Sequence, residues 1–371
     1  MPRCWVEISR AALIHNYREA VRVFGAGPLA APVVKANAYG HGLEEVAGVC
    51  SDAGACFFCV DSLREAQRLT KAGISLPVLI MGWVDPQEYD DLEPNYRLCI
   101  YQQHTIRDLQ KNHRANWPLH VHLKLETGLN RQGLSLNELP AVLAELKKSS
   151  VLRLEGAYTH FANVEDTLDS RFFQQQLYRF RKFCRLLPPG LILHSCASAA
   201  AFLHEQARGG LVRLGISLYG HYSSWRTMLS LRERGVLPEL RPVLCWKAKI
   251  AQIKKVRKGD KVGYGCCHEF LRPGRIAVIP AGYYDGYRRD YSPGAYVLVN
   301  GCKAPVIGRI AMNMFMVEIT HIPAVNPGDE VILIGRSGQN EISAEHLAEI
   351  SGTINYEVLT NIAEHLPRVL V

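Results

Sequence analysis

The chain has 371 residues, 48% hydrophobic and 21% charged, the proportions of a soluble globular protein and enough length for two hydrophobic cores. Lysine and arginine number 43 against 35 acidic residues, and the net charge of +8 is spread thinly. Only Lys254-Lys255, Arg257-Lys258 and Arg288-Arg289 are locally basic, with no aromatic residues interleaved in a long basic run, which argues against a nucleic-acid role. A mild positive excess suits attraction of anionic small molecules to a cleft. No apolar run reaches the ~18 residues of a membrane span. The eleven cysteines are odd in number and follow no secretory segment, so a reduced, cytoplasmic, soluble protein is expected.

In chain order, Trp5-Val6-Glu7-Ile8 alternates as a strand, and Ser9 can cap a helix whose apolar positions are Leu13, Tyr17, Ala20, Val21 and Phe24. Apolar strand candidates then begin near Pro32, Cys56, Pro77, Arg97, Leu119, Val151, Leu191 and Leu211. Amphipathic stretches lie between them, among them Ser62 to Ala72, His104 to His113, Leu136 to Lys147 and Asp169 to Leu187. Such alternation implies a parallel sheet, either an open doubly wound one or a closed (β/α)8 TIM barrel. Lys35, Lys124, His160, Ser198 and Arg213 fall at or just beyond the C-terminal ends of strands one, five, six, seven and eight. Barrels build their active sites on that rim, which favours closure.

Near Leu231 to Arg241 the texture changes, and Pro238 and Pro242 interrupt it. Strands without intervening helices follow, over Leu244 to Val256, Lys261 to Gly265, Arg275 to Pro280, Ala295 to Val299, Ala304 to Ile310, Phe315 to Ile319 and Glu330 to Ile334. The expectation is an α/β chain: a barrel over residues 1–238, then a mainly β domain over 239–371 with a helical tail from Ala344 to His365. Residues 1–8 are expected to pair with the second domain. Cys56-Phe57-Phe58-Cys59 has a redox or metal spacing, but it lies in an apolar run without a second pair, so core packing is the expected role. Cys266-Cys267 is too isolated for a metal site, and no metal is expected.

Chemistry concentrates at Pro32-Val33-Val34-Lys35-Ala36-Asn37-Ala38-Tyr39-Gly40-His41-Gly42. An apolar run delivers a lysine to the end of a buried strand, and a glycine-punctuated loop with Tyr39 and His41 follows. A lysine amine, near pKa ~10.4 in water, becomes a usable nucleophile when burial lowers that value, and such lysines form Schiff bases with carbonyl compounds or pyridoxal phosphate. For an isolated Val-Val-Lys, a surface lysine would be the better reading. The surroundings decide.

Those surroundings include Lys124-Leu125-Glu126-Thr127-Gly128-Leu129-Asn130-Arg131, Tyr158-Thr159-His160-Phe161-Ala162 and Val212-Arg213-Leu214-Gly215-Ile216-Ser217-Leu218-Tyr219-Gly220. Val262-Gly263-Tyr264-Gly265, Ala281-Gly282-Tyr283-Tyr284-Asp285-Gly286-Tyr287 and Gly308-Arg309-Ile310-Ala311-Met312 come later. In this order and nearly end to end, the chain resembles the alanine racemases, pyridoxal-phosphate enzymes built of a barrel and a β domain. The resemblance implies an isomerase that interconverts L- and D-alanine and supplies D-alanine for peptidoglycan. It implies a head-to-tail homodimer with shared sites, in which Lys35 holds the cofactor as an aldimine and is one base. Tyr264 of the partner subunit is the other.

It further implies that His160 contacts both that tyrosine and Arg213, and that Arg213 faces the pyridine nitrogen. Arginine keeps its proton, so the ring nitrogen stays unprotonated and side reactions through a long-lived carbanion are discouraged. Phosphate binding falls to the hydroxyls of Tyr39 and Ser198 and the N–H groups of Gly215 and Ile216. Arg131 holds the substrate carboxylate with the backbone of Met312 from the partner, Tyr283 is a further partner residue, and Asn313 lies near the way in. Lys124 matches a lysine that many members carry carbamylated, an anion able to orient Arg131.

Four positions depart from the common pattern: Ala197 replaces an asparagine, Ala311 a cysteine, Asn313 an aspartate, and Glu364 stands where a phosphate-contacting tyrosine is usual. They leave room for a racemase of serine or of a larger amino acid. A fold-related pyridoxal-phosphate decarboxylase would put an acid opposite the ring nitrogen, which Arg213 opposes. A single-domain cofactor-binding protein would lack residues 240–371, and a cofactor-free aldolase would leave the phosphate set unexplained.

Overall fold

The structure, a computed structural model, describes residues 2–371. Two compact units result. One comprises Ala12–Ala38 and Val46–Arg241; the other joins the N-terminal residues through Ala11 and the segment Tyr39–Glu45 to Pro242–Val371. Among the described residues no helix is long and apolar enough to cross a membrane.

The first unit is built on eight strands: β1 (Leu29–Pro32), β2 (Phe58–Val60), β3 (Val78–Ile80), β4 (Tyr96–Ile100), β5 (Leu119–Lys124), β6 (Leu152–Tyr158), β7 (Ile192–His194) and β8 (Leu211–Leu214). Strands β2 to β7 form a six-stranded parallel sheet, and β1 pairs in parallel with β8. Single parallel bridges, Val33 to Cys59 and Ala197 to Arg213, join β1 to β2 and β7 to β8, so the ring closes as the expected barrel.

Local chemistry explains the helices around it. Ser62 caps the helix Leu63–Lys71 by accepting the Glu65 N–H, and the Glu65 carboxylate returns to the Ser62 N–H. Leu63, Ala66 and Leu69 form its buried face. The helix Arg10–Phe24 buries Leu13, Tyr17, Ala20 and Phe24 as expected, but Val21 is 40% exposed and the polar Asn16 takes its place on the inner face. Asn16 is held there because its amide donates to the carbonyls of Leu218 and Arg241 and accepts the Arg241 N–H.

Strand β1 ends three residues before Lys35, earlier than expected. Lys35 instead opens a short turn, Lys35–Tyr39, in which Ala36, Asn37, Ala38 and Tyr39 all have positive φ, at 52°, 53°, 52° and 54°. Left-handed backbone costs an L-residue roughly 1–2 kcal/mol, and neither a strand nor a right-handed helix continues through it. Two hydrogen bonds pin it: Ala36 N–H to Glu65 Oε1 at 2.7 Å and Ala38 N–H to the Val34 carbonyl at 2.8 Å. Glu65 thus caps one helix and clamps the lysine turn. Within the Cys56–Cys59 run, Cys59 is buried in β2, whereas Cys56 precedes the strand and is exposed.

The second unit is a ten-stranded sheet in which Cys4–Ile8 runs antiparallel to Leu244–Lys249 and parallel to a C-terminal strand, Arg368–Leu370. The run Leu244 to Val256 is two strands, because Ile250 and Ala251 turn their N–H groups to the carbonyls of Asp329 and Val278. The strand expected over Lys261 to Gly265 stops at Val262, and Tyr264–Cys266 form a 3-10 turn with Gly263 before it and Gly265 within it, whose φ values are 73° and 75°. The expected helical tail is two helices, Ala344–Ile350 and Asn355–Thr360, separated at Gly352, where φ is 65°. Arg368 then ties the end of the chain down, donating to the carbonyls of Gly40, Ile362, Ala363, Glu364 and Leu366.

Candidate active site

In the barrel unit the Lys35 ammonium lies 3.3 Å from Asp61 Oδ1, with the two side chains 39% and 58% exposed. Lys124, at the end of β5, is buried. Burial, with Arg131, Arg213 and Lys35 adding positive charge around it, pulls its amine from 10.5 to about 8. The loop beyond it is folded by Glu126, whose carboxylate accepts the N–H groups of Gly128 and Asn130, and it closes through a bridge between Leu125 and Leu134. That loop carries Arg131.

Arg213, in β8, is 3% exposed. Its Nη2 donates to the carbonyls of Thr159 (2.8 Å) and Ser195 (3.2 Å) and lies 3.4 Å from His160 Nδ1; Nη1 donates to His194 Nδ1 at 2.7 Å. Its Nε–H makes no hydrogen bond among the described residues. Burial, then the charge of Arg213, push His160 down to about 3, so its ring is neutral. His160 and Arg131 line a cavity of about 150 Å³ with Phe161, Glu165, Ala197 and Ala200. Ser198 opens the short helix Ser198–Leu203 and is not its cap; its Oγ accepts the Gly215 N–H at 3.1 Å, and Ile216 follows at the start of a 3-10 turn.

In the second unit, Tyr39 packs beside Tyr356 with ring centroids 6.1 Å apart. Tyr356 lies on the second of the two helices found in place of one continuous tail. Glu364, expected at the place where the family usually carries a phosphate-contacting tyrosine, has an exposed side chain. The motif segments at 281–287 and 308–314 are laced together: Tyr283 and Tyr284 donate to the carbonyls of Ala311 and Met312. A Cβ on Gly282 would fall 2.3 Å from both carbonyl oxygens, so only glycine fits there. Backbone contacts thus bring Tyr283 and Met312, both exposed, close together, and Asn313 beside them is half-buried. Tyr264 is 71% exposed, and its turn packs on Gly308 and Arg309. It is no core residue.

A parallel barrel followed by a mainly β unit that recruits the N-terminal strand defines a class of two-domain barrel enzymes. Residues 8–223 match the family model of the alanine racemase N-terminal domain and residues 243–370 that of the C-terminal domain, and the chain belongs to the alanine racemase family. It is 41% identical to an alanine racemase of Syntrophobacter fumaroxidans, over 98% of this chain and 96% of that protein. Against an alanine racemase of Leptospira interrogans it is 37% identical over 99% and 95%. Among solved structures, the alanine racemase of Bacillus anthracis with bound L-Ala-P superposes with a TM-score of 0.92 at 33% identity, covering 100% of this chain and 95% of the other. A histidine racemase of Leuconostoc mesenteroides superposes with a TM-score of 0.90 at 30% identity, covering 100% and 98%.

Proposed function

We propose that the chain racemises alanine with pyridoxal phosphate, using Lys35 and Tyr264 of the partner subunit as two bases in a homodimer. The observation that carries this reading is Arg213: the charged group buried beside the rim is a guanidinium with one N–H to spare, where a carboxylate would serve a decarboxylase. The other residues fit the cofactor too. Ser198 Oγ and Gly215 N–H already meet each other, so a phosphate arriving there finds an acceptor-donor pair to open, with the Ile216 N–H and the Tyr39 hydroxyl as further ligands. Bound pyridoxal phosphate supplies the electron sink that acidifies the Cα proton of an amino acid.

The chain's own groups do the rest. Lys35 Nζ holds the cofactor, then takes or returns a proton on one face of Cα; the partner's Tyr264 serves the opposite face. A phenol near pKa ~10 is a poor base, so its ionised form needs cationic support, for which the His160 to Arg213 contact is suited. Arg131 binds the carboxylate with the backbone of the partner's Met312, and the partner's Tyr283 completes the wall. Lys124 at about 8 has a neutral fraction near neutrality, the form whose lone pair attacks carbon dioxide with release of a proton to solvent, and its carbamate would hold Arg131. With dissolved carbon dioxide held constant, the carbon-13 carbamate signal should rise as pH is raised through about 8, whereas an ordinary lysine would need a pH near 10.5. Absence of a Lys124-dependent signal removes that role.

A second reading, the same chemistry on serine or a larger amino acid, is favoured by the small residues Ala197 and Ala200 in the cavity wall. Provision of D-alanine for peptidoglycan in the cytoplasm is the proposed role, and eleven free thiols suit a reducing compartment. The test is direct. Purified protein given pyridoxal phosphate should be yellow, borohydride should bleach it with label on Lys35, and L-alanine should yield D-alanine faster than other amino acids do. Amine products, or no colour, contradict the proposal.

A further inference from the structure

Barrel interiors are usually filled by branched aliphatic side chains. Behind Arg213 this one carries a run of polar groups, one from each of five successive strands: Arg97 (β4), His122 (β5), Glu155 (β6), His194 (β7) and Arg213 (β8). Arg213 Nη1 donates to His194 Nδ1 at 2.7 Å, His194 Nε2 lies 2.9 Å from His122 Nδ1, and His122 Nε2 lies 3.0 Å from Glu155 Oε2. Arg97 ends the run with two bonds to the same carboxylate, Nε to Oε2 at 3.0 Å and Nη2 to Oε1 at 3.1 Å. Both imidazoles are 0% exposed.

Proton positions follow from donor chemistry. A guanidinium only donates, so His194 Nδ1 accepts. Burial, then the charge of Arg213, hold His194 well below the usual imidazole range, so its single proton sits on Nε2 and is offered to His122 Nδ1. His122, also lowered by burial, then carries its proton on Nε2 and offers it to Glu155. Burial alone would raise the Glu155 pKa, but the bonds from His122 and Arg97 bring it to about 2, so the run ends on a carboxylate. Every bond points one way, from guanidinium to carboxylate.

The packing is built for this run. The Tyr158 ring lies flat on His194, centroids 4.7 Å apart and planes 11° from parallel, and sits 5.0 Å from the Arg213 guanidinium carbon. Gly156 leaves the space that the His122 ring fills: a Cβ there would lie 2.5 Å from His122 Nδ1. The register between β5 and β6 shifts between Val121 and His122, where that ring enters. Buried polar networks are costly unless fully satisfied, and each member here has its partner.

We propose that Glu155, acting through His122 and His194, is a positioning residue: it dictates both imidazole tautomers and so holds Arg213 with Nη1 and Nη2 committed and Nε–H left for the cofactor. This rests on the reading of Arg213 as the group that faces the cofactor ring. A glutamine at 155 could donate to His122 Nε2 and invert the run, leaving His194 Nδ1–H facing a guanidinium N–H, two donors with no acceptor.

The experiment is nitrogen-15 NMR of histidine-labelled protein, with His122→Gln and His194→Asn for assignment, run first without cofactor. The expected result is two neutral Nε2–H imidazoles. Glu155→Gln should change the tautomer of at least one ring, shift the absorption of the cofactor-loaded protein, and lower kcat roughly 10-fold or more with a smaller change in KM. Glu155→Asp should recover part of each. An Nδ1–H tautomer at either position in the unaltered protein overturns the inference, as does a folded Glu155→Gln protein with unchanged rings and absorption. The wild-type NMR needs neither the Glu155→Gln variant nor bound cofactor. Directed tautomers in a protein that never binds pyridoxal phosphate would therefore preserve the relay while sinking the function proposed above.

Discussion

Replacing Tyr264 with phenylalanine should lower racemisation about 10²–10⁴-fold, the usual worth of a positioned acid–base group, while leaving the colour of the loaded protein intact. The reasoning starts from exposure. Tyr264 is 71% exposed and sits in a 3-10 turn that two positive-φ glycines permit, so its hydroxyl supports no core. Removing it should change unfolding free energy by less than about 0.5 kcal/mol, and lost activity can then be read as lost chemistry. Run in deuterated water, the variant should still exchange the Cα hydrogen of one enantiomer without inverting it, because one base remains. Wild-type rates for both enantiomers would remove Tyr264 from the mechanism.

Lys35→Ala should abolish borohydride-trapped cofactor and cut activity by roughly 10⁴-fold or more, since in the proposed mechanism one residue supplies both the covalent tether and a base. Its stability should barely change: among the described residues the substitution breaks one ion pair, that to Asp61, more than a third exposed at both ends, and such pairs contribute about 0–1 kcal/mol. Near-normal melting together with lost colour is therefore the expected pair of results. Retained colour that borohydride still fixes covalently to the protein would move the tether elsewhere.

The barrel was readable because its signals are local. The capping box at Ser62 and Glu65 and the apolar runs of β2 to β8 reveal themselves within a few residues. What escaped depends on distant partners. The left-handed turn after Lys35 is held by Glu65, and nothing in Ala36-Asn37-Ala38 announces it. Asn16 sits on the buried face of its helix because of partners at Leu218 and Arg241, more than 200 residues away in sequence. In the same way Arg97, His122, Glu155 and His194 read as ordinary strand residues, because only closure of the ring turns them toward one another. The tail from Ala344 to His365 reads as one helix for a different reason: the break at Gly352 rests on a backbone conformation, φ 65°, that an isolated glycine does not announce.

The central claim, that Lys35 and Tyr264 act on one carbon from different subunits, is tested most directly by mixing two dead proteins. Lys35→Ala and Tyr264→Phe chains, co-expressed with different tags, form hybrid dimers in which one site regains an intact lysine and an intact tyrosine. If the pair is contributed across the interface, random mixing should recover about a quarter of wild-type activity, and purified hybrid about half. Hybrid dimers as inactive as either parent would contradict the account.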